Sequence, residues 1–158
     1  MKMERLGIKI VYEKLKRGEL TEEELADLEA ATTARLSAHA PYSNYLVGAA
    51  IRTHDGNIFT GWNLENGIYV VSHAEQNALG SILPRSRESG IRRVTVVAAP
   101  RNKKTQKVAA ICGYCRQLLS EFIHEGDSPQ ALMAGIRGSV IRIGLKDLLP
   151  LAFSLSPS

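Results

Sequence analysis

The chain has 158 residues, enough for one domain with a substantial hydrophobic core, and its 44% hydrophobic and 23% charged residues are typical of globular proteins. Its apolar runs are too short to span a bilayer, and residues 1–17 lack the apolar core of a signal peptide, so we expect a cytoplasmic protein without a membrane partner. The net charge of +4 is only mildly basic, which argues against a protein that binds nucleic acid over a whole face.

The first half of the chain predicts a helix followed by a β-hairpin. Residues 21–37 combine helical spacing of leucines with the capping-box pair Thr21 and Glu24. Residues 47–53 and 58–62 have strand character, and the sequence His-Asp-Gly-Asn between them supplies turn residues.

The second half alternates helices and strands. We expect a helix over about 73–83, a buried strand over 92–99, a helix from near 112 to 124 or 125, and a strand over 139–143. Residues 1–20 have no clear partner and form either an added helix or a partly ordered arm. This alternation favours a mixed sheet that is covered by helices on both faces.

Two motifs carry the chemistry: His73-Ala-Glu75 and Cys112-x-x-Cys115. One imidazole and two thiolates suit zinc, and three protein ligands leave the fourth tetrahedral position open for water. Both motifs fall at predicted helix starts, where free N–H groups stabilise thiolates. Bound zinc lowers the pKa of water to about 7, and Glu75 is placed to move protons without being a ligand. The combined pattern is the signature of zinc nucleobase deaminases.

Other interpretations of these residues stay open. The two cysteines can form a thioredoxin-like redox pair, which leaves His73 and Glu75 without a role. The same cluster can instead be a closed structural zinc site in a non-catalytic binding module.

A basic cluster lies in the predicted loop after the buried strand and contains Arg101, Lys103, Lys104 and Lys107. It is either a solvated loop, which we favour, or a patch that contacts phosphate. Deaminases that edit nucleic acids need a wider basic face and contacts to flanking bases.

The chain resembles the small cytidine deaminases of pyrimidine salvage over roughly residues 20–153. Besides the zinc motifs, the resemblance rests on APYSNYLVGAA at 40–50, NLEN at 63–66, CRQ at 115–117 and LLPLAF at 148–153. It implies a three-layer α/β fold with a five-stranded mixed sheet between helices. It also implies one catalytic domain over 21–158, preceded by an extension over 1–20, and a homotetramer.

The resemblance implies zinc-dependent hydrolysis of cytidine and deoxycytidine to uridine and deoxyuridine, with Glu75 as the proton carrier. Six further positions would contact this nucleoside substrate: Asn63, Glu65, Tyr45, Ala74, Ala110 and Phe153. The asparagine and glutamate would hydrogen-bond the sugar, and the tyrosine ring would line the pocket. The first alanine's N–H and the second alanine's carbonyl would hold the pyrimidine edge. The phenylalanine would stack on the base in a neighbouring subunit's pocket, or else belong to the core.

Four positions depart from the family's pattern. Ile111 replaces a proline, Trp62 replaces a smaller residue, and Gly67 stands where a small residue with a side chain is common. These three changes leave open a second substrate class, the N4-substituted or antibiotic cytosine nucleosides. Gln76 stands where relatives with three cysteine ligands have an arginine, which His73 makes unnecessary because it reduces the negative charge of the ligand set.

Overall fold

The computed structural model describes residues 7–82 and 89–154 and contains a six-stranded mixed sheet. Its strands are β1 (Glu13–Leu15), β2 (Tyr45–Thr53), β3 (Ile58–Trp62), β4 (Ile91–Pro100), β5 (Gln130–Ala134) and β6 (Val140–Gly144). Their spatial order is β1-β6-β5-β4-β2-β3. The β4–β5 pair is parallel, and every other neighbouring pair in this order is antiparallel.

Among the described residues, three α-helices cover the two faces of the sheet: α1 (Glu22–Ala34), α2 (Ala74–Ile82) and α3 (Gly113–Ser120). Leu28 and Ala31 of α1 pack on one face, where they join Ala50 of β2 in a buried cluster. The alternate β2 residues Ala49 and Ile51 face the other side and pack with α2 and α3. The prediction of helices on both faces is therefore confirmed.

The expected count of five strands is wrong, because residues from the N-terminal extension add a sixth. Glu13–Leu15 pair antiparallel with β6, where the sequence predicted a helix or an arm. Sequence analysis also missed β5, whose short run Gln-Ala-Leu-Met-Ala lacks the β-branched residues that indicate a strand. Parallel pairing with β4 holds it in the sheet nevertheless.

Most of the predicted boundaries agree with the structure. The capping box of Thr21 and Glu24 is present at the start of α1, and the two hairpin strands are confirmed. Helix α3 is shorter than predicted and ends at Ser120. The predicted end of α2 near residue 83 lies outside the described residues.

Two glycines allow helices to lie directly on the sheet. A Cβ at Gly61 of β3 would overlap the carbonyl of Ala74 and the backbone nitrogen of Ala78 in α2. A Cβ at Gly48 of β2 would likewise overlap the backbone of Ala31 in α1. The absence of a side chain at Gly61 therefore sets how closely the first turn of α2 approaches the sheet.

A buried carboxylate joins α1 to the sheet. Asp27, whose side chain is 1% exposed, pairs with Arg52 of β2 at 2.7 Å and with Arg93 of β4 at 2.8 Å. Three charged groups removed from water need each other, because any one of them left unpaired would carry a large desolvation cost.

A second ion-pair group holds the added strand. Arg142 of β6 contacts Glu13 of β1 at 2.7 Å and Glu24 of α1 at 2.8 Å. The hydrogen bonds that Arg142 donates to Glu13 and Glu24 raise the pKa of its guanidinium group. The edge strand β1 is thus held by ion pairs as well as by its backbone pairing.

Within residues 7–82 and 89–154, no helix has the length and apolar character needed to cross a membrane.

We expect Asp27→Asn to lower the free energy of unfolding by about 3 kcal/mol, because it removes the buried carboxylate between Arg52 and Arg93 and leaves these two guanidinium groups only the partly exposed Glu23. The measurement is urea unfolding followed by circular dichroism. Glu29→Gln, on the exposed side of the same helix, is the control and should change stability by less than about 0.5 kcal/mol. Equal effects of the two substitutions would contradict the structural role of Asp27.

Candidate metal centre and active site

The first two candidate ligands stand at the starts of two helices. His73 directly precedes α2, where its carbonyl accepts a hydrogen bond from the Asn77 N–H at 3.0 Å and its own N–H donates to the Gln76 side chain at 3.3 Å. Cys112 occupies the N-cap of α3. The positive ends of both helices therefore meet here, and they stabilise negative charge on a sulfur.

The three predicted metal donors converge. The donor atoms of His73, Cys112 and Cys115 all lie within 4.8 Å of one another. The distance from Cys112 Sγ to His73 Nδ1 is 3.4 Å. Ligands at tetrahedral positions around zinc, with bonds of about 2.0–2.3 Å, lie about 3.5 Å apart. The cluster therefore has the size of a single zinc site.

The chemistry of the donors also fits zinc. Burial, followed by the negative charges of Glu75 and Cys112, raises the pKa of the Cys115 thiol. A divalent cation reverses this preference, because a coordinating thiol is deprotonated outright. Two sulfurs and an imidazole nitrogen match zinc rather than calcium or magnesium, which prefer oxygen ligands. The predicted zinc cofactor is thus supported by both geometry and chemistry.

The ligand set leaves one position open. Among the described residues, no fourth His, Cys, Asp or Glu joins this cluster. A closed structural site would need such a ligand, whereas a catalytic site holds water or substrate there. Both cysteines are free thiols, and a redox pair would not explain why His73 lies against Cys112.

A cavity of about 470 Å³ opens beside the metal cluster. His73, Cys112 and Glu75 line it, and Glu75 is only 4% exposed in the first turn of α2. Four of the six implied substrate contacts line the same cavity: Tyr45, Asn63, Ala74 and Ala110. The fold therefore brings a buried carboxylate, the metal donors and a space of small-molecule size together.

Asn63 holds the cavity wall in place. Its Oδ1 accepts a hydrogen bond from the Val47 N–H at 2.8 Å, and its Nδ2 donates to the Tyr45 carbonyl at 3.0 Å. An amide group offers two N–H donors and an oxygen with two lone pairs, so these bonds use half of its capacity. The remaining half is available to a ligand.

Glu65 is nearly buried but does not line the cavity. Its carboxylate accepts hydrogen bonds from the Tyr42 N–H at 2.9 Å, the Ser43 N–H at 3.2 Å and the Ser43 hydroxyl. The Ser43 hydroxyl bond is the largest of the effects that lower the pKa of Glu65. Within one chain, Glu65 therefore anchors the loop that precedes β2.

Phe153 also lies outside the cavity lining. The residue is 64% exposed, so the alternative of a core residue does not hold within one chain. The Gln117 Nε2 donates to its carbonyl at 2.8 Å, and its N–H donates to the Gln117 Oε1 at 3.2 Å. The backbone is thus fixed, while the exposed side chain is not part of the cavity lining of its own chain.

Sequence analysis missed two residues that support the ligands. Arg116 donates to the Ile111 carbonyl at 2.7 Å and to the Leu148 carbonyl at 3.0 Å, which ties the approach to Cys112 to the C-terminal turn. The Tyr114 ring lies 5.3 Å from the His73 ring, tilted by 43°. Both residues stand beside the cysteines in sequence, but their contacts depend on packing that no local pattern reveals.

Comparisons with known proteins identify relatives of this chain. The sequence model of the family described as "Cytidine and deoxycytidylate deaminase zinc-binding region" matches residues 21–125. The cytidine deaminase of Sporosarcina psychrophila is 34% identical over 122 residues, covering 77% of this chain and 84% of that protein. The cytidine deaminase of Halalkalibacterium halodurans is 31% identical over 128 residues, covering 80% and 91%. The crystal structure of cytidine deaminase from Burkholderia pseudomallei is similar with a TM-score of 0.73 and 38% identity, covering 85% of this chain and 100% of that one.

We expect Cys112→Ser to lose most of the zinc that the purified wild-type protein carries, because a serine hydroxyl is a poor zinc ligand. The measurement is metal content by mass spectrometry after dialysis. Ser120→Ala at the far end of the same helix should retain wild-type zinc content. Full zinc retention by Cys112→Ser would show that the metal is held elsewhere.

Proposed function

Because this chain belongs to the cytidine and deoxycytidylate deaminase family, we propose that it deaminates cytidine and deoxycytidine by zinc-dependent hydrolysis. Water replaces the exocyclic amine of the base, and the products are uridine or deoxyuridine and ammonia. The observation that carries this proposal is a cluster of three zinc donors, two of which, His73 and Cys112, line the same cavity as the buried Glu75.

Glu75 is proposed to move the protons of the reaction. Zinc supplies the acidity, since it lowers the pKa of a bound water to about 7. Glu75 would accept a proton from the attacking water and donate it to the ring nitrogen, and would then accept the proton of the newly added hydroxyl and donate it to the departing amine. One carboxylate suffices because it ends each cycle in the state in which it began. Its burial in the cavity wall keeps competing water away from these transfers.

The cavity walls are proposed to orient the nucleoside. The Ala74 N–H and the Ala110 carbonyl would hold the pyrimidine edge, and the Tyr45 ring would flank the substrate; all three residues line the cavity. Asn63 would use its spare donor and acceptor on the sugar. Glu65 accepts three hydrogen bonds, and a carboxylate has about four lone-pair sites, so one remains for the 3′-hydroxyl.

Unmodified nucleosides are better supported than N4-substituted ones. The three departures that motivated the alternative, Trp62, Gly67 and Ile111, all lie outside the cavity lining. Trp62 lies on a shallow groove beside α1. The Ile111 N–H donates to the Met133 sulfur at 3.4 Å, a contact that a proline could not make. None of these positions gives extra room near the base.

We further propose that the active sites are completed in a homotetramer. Apolar side chains are widely exposed near the site and the C-terminal turn: Ile68 at 77%, Tyr69 at 94%, Leu151 at 93% and Phe153 at 64%. A patch of this kind marks a protein interface. In such an assembly, Phe153 would stack on the base that is bound by a neighbouring chain.

The reaction belongs to pyrimidine salvage, and we propose that it takes place in the cytoplasm. Both cysteines are free and converge on a metal site. A reducing compartment preserves such thiols as metal ligands.

We expect Glu75→Gln to lower kcat for cytidine by about 10³-fold or more while zinc content stays at the wild-type level, because the amide cannot carry the proton. The measurement is the loss of cytidine absorbance, with metal content determined on the same sample. Glu125→Gln, an exposed carboxylate outside the cavity, should leave kcat unchanged. A Glu75→Gln protein with wild-type turnover would remove the proposed mechanism.

We expect Phe153→Ala to raise KM for cytidine about tenfold, since stacking of a base on an aromatic ring contributes about 1–3 kcal/mol. Coexpression with the Glu75→Gln chain should then restore activity above that of either variant, because mixed assemblies contain sites with an intact carboxylate and an intact partner ring. If coexpression gives only the average of the two activities, the ring does not act between chains.

A further inference from the structure

The positive charge of this chain is unevenly distributed. From residue 91 to residue 120 there are seven Lys and Arg residues and no Asp or Glu. Arg92 and Arg93 are neutralised by Glu23 at 3.1 and 3.0 Å, and Arg116 is bound to backbone carbonyls. The other four cations form the basic loop, residues 101–107: Arg101, Lys103, Lys104 and Lys107. Among the described residues, none of these four forms an ion pair with a carboxylate.

The basic loop lies at the active-site cavity. Lys107 lines the same cavity as His73 and Glu75, although its own residue is exposed to solvent. It therefore belongs to the outer wall, whereas the buried Glu75 belongs to the interior.

Backbone contacts give this loop a defined course. The Arg101 N–H donates to the Asn44 carbonyl at 2.7 Å, next to the cavity residue Tyr45. The Arg137 N–H donates to the Thr105 carbonyl at 3.2 Å, and the Lys107 N–H donates to the Thr105 hydroxyl at 3.0 Å. The cations are thus presented from a segment that is fastened on both sides.

We propose that the basic loop binds the 5′-phosphate of a cytidine monophosphate, with Lys107 as the residue that contacts it. The inference rests on the proposed deamination, which places the base at the metal cluster. Lys107 lines the same cavity, so a 5′-phosphate on the bound nucleoside would lie within the space that this cation borders. A neutral nucleoside makes no use of four unpaired cations, whereas a phosphomonoester carries a charge of about −2 at neutral pH and has strong acceptor oxygens.

The arrangement favours a mononucleotide over a nucleic acid strand. The four cations of the basic loop lie within seven residues of sequence, while a polynucleotide requires a groove or face that follows several phosphates. The cavity volume of about 470 Å³ lies within the range of small-molecule sites, which is about 300–1,000 Å³.

The test compares kcat/KM for cytidine, cytidine monophosphate and deoxycytidine monophosphate in the zinc-loaded full chain. We expect the monophosphates to be the better substrates at low ionic strength, and we expect added salt to reduce this preference because it screens the contact. Lys107→Ala should lower the monophosphate-to-cytidine ratio about tenfold, mainly through KM of the monophosphate, as expected for one charge-assisted contact. Lys107→Arg, which keeps the charge, and Lys9→Ala, which removes an exposed lysine outside the loop, should keep the wild-type ratio.

Each other result overturns the inference. The basic loop does not bind a phosphate if cytidine is deaminated and the monophosphates are not, or if Lys107→Ala leaves the monophosphate-to-cytidine ratio of kcat/KM unchanged. In both cases the proposed function stands. If a single-stranded oligonucleotide inhibits the enzyme more strongly than cytidine monophosphate does, the cations serve a polynucleotide instead. If the zinc-loaded chain deaminates none of these substrates, the proposed function falls together with this inference.

Discussion

The active site depends on the interaction between a cation and two neighbouring acidic groups, the Cys115 thiol and the Glu75 carboxylate. Both are buried, and burial together with the negative charge of Glu75 raises the pKa of the Cys115 thiol. A divalent metal changes the sign of this interaction, because it binds the sulfur as thiolate and offsets the charge of the carboxylate. The same ion would then acidify water beside Glu75, the proposed proton carrier. The same arrangement of charges therefore serves both metal binding and the proposed catalysis.

The fold makes this arrangement possible by bringing two helix starts to one place. Gly61 lets α2 approach the sheet closely, which sets the depth of the first turn that carries Glu75. The chain leaves β4, passes through the basic loop and enters α3 at Cys112. On either side of β4 lie an antiparallel and a parallel neighbour. Because the two neighbours of β4 run in opposite directions, the chain segments that follow them lie apart. This leaves room for a ligand at the end of β4, as at the switch points of other α/β sheets.

The parts of the structure that depend on local chemistry could be read from the sequence. Thr21 and Glu24 form the predicted cap, and His73, Cys112 and Cys115 form the predicted cluster. The parts that depend on distant partners could not be read in this way. Strand β5 lacks a local strand pattern and exists because β4 pairs with it, while Glu13–Leu15 become a strand through pairing with β6. The carbonyl contacts of Arg116 are likewise invisible without the packing that brings residues 111 and 148 together.

Glu65 shows why the role of a site residue is harder to predict than its presence. The resemblance assigns its carboxylate to the sugar, and the fold uses the same carboxylate to hold Tyr42 and Ser43. The two uses are compatible, because one part of the carboxylate can hold the loop while the rest of it remains available to a ligand.

The most direct measurement for the whole account is the quantification of ammonia and uridine from cytidine by the zinc-loaded protein. The account predicts equal molar amounts of both products, their loss on chelation and their return with added zinc. A fully zinc-loaded protein that releases no ammonia would contradict it.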